Sequence, residues 1–124
     1  MDLTGLTVNG GYTVLSRMIL RTSSDSDTIA YIGIGTGTTP PAVTDLALEA
    51  RVARIPIYET TNPDAQTLLF KTTVDSGTGN ADITEAGLFT ESDILIARAT
   101  FDPIAKISPF YLLINWTLSL GELA

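Results

Sequence analysis

The 124-residue chain carries 7 Lys and Arg against 14 Asp and Glu, a net charge of −7, which excludes the clustered basic surface that nucleic acid or an anionic membrane requires. It has neither Cys nor His, which removes disulfides, thiol nucleophiles, Cys/His zinc sites and every triad with His as the base. The length suits one domain spanning residues 1–124, with chain enough for a core of its own.

The N-terminus, Met1-Asp2-Leu3-Thr4-Gly5, has no basic region followed by an apolar run, so no signal peptide is expected. No stretch approaches the roughly 18 apolar residues of a membrane span, and the expectation is a soluble chain made without an export signal. Hydrophobic residues reach 44% while charged ones are only 17%. A domain this small has proportionally much surface, so that composition points to apolar area covered by neighbouring subunits.

Asn9-Gly10-Gly11 opens a segment with Tyr12, Leu15, Met18 and Ile19 at helical spacing and Arg17 and Arg21 off that face. The spacing predicts a short helix from about Tyr12 to Arg21, with Arg21 suited to the negative end of the helix dipole. Residues 23–27 read as a polar loop. Thr28 to Ile34 is rich in β-branched and aromatic residues and reads as a strand. It runs into Gly35-Thr36-Gly37-Thr38-Thr39-Pro40-Pro41, which cannot be regular structure. Thr44 to Ala50 is expected to form one helical turn capped by Thr44 or Asp45.

Strand signals return at Ala53 to Glu59, Thr67 to Asp75, Asp82 to Phe89 and Ile94 to Phe101. The expected breaks are Asn62-Pro63-Asp64, residues 76–80, Glu91-Ser92-Asp93 and Asp102-Pro103. Ile94-Leu95-Ile96-Ala97 is apolar on both parities and should be buried on both faces. From Pro109 to Leu120 the side chains alternate: Phe110, Leu112, Ile114, Trp116, Leu118 and Leu120 share one parity. This predicts a central strand with one wholly apolar face. Residues 121–124 read as a frayed end. Strands this closely spaced predict a mainly β protein: an antiparallel β-sandwich or small barrel of about six strands, with one short N-terminal helix.

Little in the sequence carries chemistry. Gly33-x-Gly35-x-Gly37 follows a strand, but it lacks the third glycine spacing and the Gly-Lys-Ser/Thr of phosphate-binding loops, and Pro40-Pro41 forbids the helix such loops need. A tight exit from the strand is the expected role. Asp25-x-Asp27 and Asp75-Ser76-Gly77-Thr78-Gly79-Asn80 offer oxygens for Ca²⁺ but lack the acidic positions of a calcium loop, so both read as solvated turns. Glu85 with Asp102 is a formal carboxylate pair for glycoside chemistry, with nothing to place the two at a cleft. Glu85 also sits mid-strand among small and apolar neighbours. If it is buried it needs a partner, for which Arg98 and Arg54 are the candidates. No catalytic, cofactor-binding or metal residue is assigned.

YIGIGTGTTPP, TDLALEARVAR, TEAGLF, LIARATFDP and the alternating NWTLSL follow one another across roughly residues 10 to 120. Together they resemble small virion structural proteins of tailed bacteriophages, especially the β-rich domains of tail fibres and tail appendages. The resemblance implies a non-enzymatic β-domain that docks on other virion proteins and oligomerises, commonly as a trimer, after synthesis in the host cytoplasm. It implies no catalytic residue, and no cofactor, nucleic-acid or membrane partner is expected. Tail fibres of this type continue into a shaft and receptor-binding tip, and this chain stops at Ala124. The expectation is therefore an attachment module, short appendage or separately encoded component of fibre or baseplate, with a capsid decoration protein as the alternative. A carbohydrate-binding module is a further reading, which would require Trp116 to face solvent.

Overall fold

Alternation along the last strand sets the architecture. In β9 (Leu112–Ser119), Ile114, Trp116 and Leu118 turn inward and are at most 2% exposed, while Leu113 on the other parity faces outward. Burying three side chains of that size contributes on the order of 6 kcal/mol, an upper figure because a denatured chain already hides part of them. Phe110 breaks the expected pattern: it lies in the turn before the strand and is mostly exposed.

The computed structural model describes residues 1–20 and 28–119. Among them lie one helix, α1 (Asn9–Leu20), and nine strands: β1 (Asp2–Leu3), β2 (Leu6–Thr7), β3 (Ile29–Gly35), β4 (Arg51–Pro56), β5 (Glu59–Asp64), β6 (Thr67–Val74), β7 (Ala81–Thr90), β8 (Leu95–Lys106) and β9. They form a β-sandwich of two sheets, ordered β1-β9-β6-β5 and β2-β8-β7-β3-β4, rather than a closed barrel. The pairing is antiparallel except for β1, which lies parallel to β9 with Leu3 opposite Trp116. The main core fills the space between the sheets, with Phe70, Val74, Ile114 and Trp116 from one side and Ile32, Ile34, Ala86 and Leu88 from the other. A second cluster of Val8, Leu48, Phe89 and Leu95 covers the far face of the five-stranded sheet. Leu95, Ile96 and Ala97 are thus buried on both faces, as their sequence predicts.

Several expectations are corrected. The helix begins at Asn9, three residues earlier than predicted, because the Asn9 amide donates to Val43 O and the Tyr12 amide to Val8 O. Residues 44–50 form no helical turn: the Asp45 carboxylate accepts from the Ala42 amide and from Arg98, so it does not cap a helix. The strand predicted over Ala53 to Glu59 is two strands in different sheets. Ile57 still donates to Ala30 O beside β3, whereas Tyr58 already donates to Lys71 O of β6. Asn62-Pro63-Asp64 lies inside β5, where a register shift absorbs the proline. Asp102-Pro103 lies inside β8 as a bulge, three residues standing opposite the single Thr84 of β7. The two-residue strands β1 and β2 are not legible in the sequence because so short a segment carries no alternation; with them and the split into β4 and β5, about six expected strands become nine among the described residues. Arg21, the polar loop 23–27, Asp25-x-Asp27, Leu120 and the tail 121–124 lie outside the described residues.

Candidate functional site

The densest polar constellation lies on the outer face of the five-stranded sheet, under the segment that joins β3 to β4. Residues 36–50 cross that face as a strap, closed at its base by the Thr36 amide donating to Ala50 O at 3.0 Å. Leu48 packs down over Gly33 and Gly87, which stand opposite each other on β3 and β7; a Cβ on either glycine would lie within 3.2 Å of the Leu48 side chain. The glycines open the space, and the leucine fills it.

Glu85 is the anchor of the strap. It is fully buried on β7, yet its carboxylate accepts four hydrogen bonds. The amides of Gly37 and Ala50 donate to Oε2 at 2.8 and 2.7 Å, and the Glu49 amide and Arg98 Nε donate to Oε1 at 2.9 and 3.1 Å. Arg98 Nη2 lies 3.0 Å from the same Oε1, at ion-pair distance but outside hydrogen-bond geometry. Arg98 Nη1 reaches Asp45 Oδ2 of the strap at 3.2 Å. The guanidinium, only 2% exposed, thereby joins β8, β7 and the strap. A buried carboxylate is tolerated when its remaining lone pairs are also bonded, and here three backbone amides supply those bonds, while Arg98 Nη2 is held by charge alone.

The partner of Glu85 is therefore Arg98, one of the two candidates the sequence offers. Arg54 belongs to another cluster, 3.3 Å from Asp93 and stacked over Tyr31 at 4.0 Å. Arg51 completes that cluster, 2.8 Å from Asp93 and over the Phe89 ring at 5.3 Å. The hydrogen bond from Arg51, followed by the charges of both arginines, holds the Asp93 carboxyl below the usual aspartate range. Glu49 on the strap is likewise lowered, first by the Thr39 hydroxyl and then by the Thr38 amide.

The glycine run behaves as a strand exit with an anion on it. The Gly37 amide does point at negative charge, but the charge is the chain's own Glu85, not a phosphate. Thr84 holds the same residue from the other side, its hydroxyl donating to Gly37 O at 2.7 Å. The 75–80 segment is a turn in which the Thr78 hydroxyl and the Gly77 amide hold the Asp75 carboxyl below its usual range. Lys106, itself buried, donates to Asn80 Oδ1 at 2.9 Å and ties that turn to β8.

Glu85 and Asp102 do not form an acid/base pair. Asp102 is exposed on the β8 bulge, at a shallow cleft of about 430 Å³ lined by Thr38, Thr84, Thr100, Phe101 and Pro103 as well; Glu85 is not among the lining residues. Every acceptor position of Glu85 is occupied within the chain, so the constellation fixes a loop and offers nothing to a reactant. Among the described residues no group of three or more acidic, His or Cys side chains could hold a metal, and no helix is long and apolar enough to cross a membrane. Sequence reasoning missed Asp45 and Glu49 as members of this site. Their signal is two acids in the otherwise apolar DLALEA, of which helical capping accounts for Asp45 alone.

Comparison with protein-family models, with curated proteins and with solved structures finds no match to this chain.

Proposed function

We propose that the protein is a non-enzymatic structural subunit of a tailed-phage particle, a fibre, baseplate or appendage component that works by protein–protein contact. The phage setting rests on the ordered run of sequence motifs. The observation that carries the structural role is where apolar surface remains outside. Ile107, Phe110, Tyr111 and Leu113 are all more than half exposed within one short stretch, and Leu46 at the crown of the strap is 83% exposed. Singly exposed apolar residues are ordinary, whereas several together mark a surface that another protein covers. The four hydrogen bonds on the Glu85 carboxylate support the same reading, since they stiffen the loop that presents Leu46.

A capsid decoration protein is the alternative within the same class, and the number of copies per particle separates the two. Labelling the protein on purified particles and counting copies is the direct test. A tail component gives tens of copies at the tail, a decoration protein gives hundreds on the head, and absence from particles overturns the reading. Carbohydrate binding through Trp116 is disfavoured, because the indole is 0% exposed and packs in the main core.

A further inference from the structure

We propose that copies of this chain join head to tail, with the exposed Phe110-Tyr111 turn of one copy seated in the cleft between strap and sheet of the next. This rests on the assembly reading and names its partner and its surfaces.

The donor is an apolar turn between β8 and β9. The Phe110 amide donates to Ile107 O at 2.8 Å, which folds the turn so that both aromatic rings stand outside. From Ile107 to Ser119 there is no Asp, Glu, Lys or Arg. On a chain of net charge −7, this is surface that another copy approaches without like-charge repulsion.

The acceptor is a cleft of about 210 Å³ lined by Leu46, Ala47, Leu48, Arg51, Phe89 and Asp93. Its volume is of the order of one aromatic side chain. Its rim is Leu46, 83% exposed, and its floor is the buried pair Leu48 and Phe89, with the Arg51 guanidinium already over the Phe89 ring and open on its other side to a second aromatic. The two exposed aromatics with Ile107 and Leu113 present a few hundred Å² of apolar surface, a large part of the roughly 800 Å² per partner that a standard interface buries.

Position makes the contact heterologous. The cleft sits beside the start of β8, where Phe89 pairs with Leu95, and the turn follows its far end at Lys106. Eight residue spacings along the paired β7, from Phe89 to Ala81, separate them by roughly 27 Å. Leu113 faces out from the four-stranded sheet, and the cleft opens on the outer face of the five-stranded one. One molecule cannot fill its own cleft, and each copy keeps one unused donor and one unused acceptor, which is the geometry of rings and fibres.

The test uses Phe110→Glu and Leu46→Glu, both at exposed positions, with circular dichroism and Trp116 emission confirming an unchanged fold. Wild type should form concentration-dependent oligomers by sedimentation, and each variant alone should weaken self-association at least tenfold. Mixing the two variants should restore association, but only to a 1:1 dimer. That pair has one intact donor and one intact cleft, and the other contact carries like charges. Restoration of nothing, or a mixture that grows beyond dimers, overturns the inference. So does a Leu46→Glu variant that assembles like wild type, or a wild type that stays monomeric at its highest soluble concentration. None of these results bears on the particle-labelling count, so the structural-subunit reading stands or falls separately.

Discussion

Glu85 and Arg98 are diagonal neighbours across β7 and β8: Glu85 stands opposite Thr100 and Arg98 opposite Gly87, and the guanidinium crosses one row to reach the carboxylate. Because Gly87 has no side chain, the row beside it is open to Leu48, and the ion pair is sealed under the strap instead of facing water. The charges are thus linked to a loop conformation, and the loop to the cleft that it walls.

Removing Glu85 should be costly in a specific way. Glu85→Ala leaves Arg98 buried with only Asp45 for a charge partner, and an expected loss of about 3–5 kcal/mol follows. Replacing Glu85 and Arg98 together by Leu should recover little of it, unlike many buried ion pairs. The amides of Gly37, Glu49 and Ala50 would still lose their acceptor, at about 1–3 kcal/mol for each one left buried. Urea unfolding followed by Trp116 fluorescence measures both. A double variant as stable as wild type would mean that the amides find water, and the anchoring argument would fail.

Gly37 should resist even a methyl group. A Cβ there would lie 2.4 Å from Glu85 Oε2 and 2.5 Å from the Glu49 Cβ, so Gly37→Ala must displace the anchor or the strap. The expected loss is about 1–3 kcal/mol. Gly77→Ala is the control, since its nearest neighbour is 3.9 Å away, and its effect should stay within about 0.5 kcal/mol. Equal effects at the two positions would contradict the packing described.

Stability should fall with acid. Asp93, Asp75 and Glu49 all titrate below their ordinary values of 3.8, 3.8 and 4.5 in the folded protein, Asp93 through Arg51, Asp75 through Thr78 and Glu49 through Thr39. A carboxyl lowered on folding adds stability above its ordinary value and loses that contribution as pH drops through the folded value. Urea midpoints should therefore hold steady near neutrality and decline from about pH 5 downward. Asp93→Asn should flatten that decline by removing one of the three contributions; an unchanged slope would count against the Arg51–Asp93–Arg54 cluster.

Trp116 should emit as a buried indole and be shielded from soluble quenchers. Its Nε1 has no hydrogen-bond partner among the described residues, so the ring contributes packing alone. Trp116→Ala should cost about 3–5 kcal/mol, and Trp116→Phe clearly less, because it keeps an aromatic body and removes the unpaired donor. Equal losses would show the donor to be bonded.

The sequence by itself determined what periodicity can encode. Alternation in β9 specifies a strand and its buried face, the doubly apolar start of β8 a strand buried on both faces, and the β-branched run of β3 a strand, because successive side chains in a strand must point to opposite sides. It also set a condition on Glu85, that a carboxylate buried among apolar neighbours needs a cationic partner, and the structure met the condition by burying it fully. Which arginine answers was decided by register alone: Arg98 faces Gly87 one row from Glu85, whereas Arg54 lies on the edge strand β4 next to Tyr31 and Asp93. The split of residues 53–59 between two sheets, the proline accommodated inside β8 and the strap where a helical turn was expected have the same origin. They arise where local preference is weak and backbone hydrogen bonds to distant strands win, and those partners are fixed only when the two sheets meet.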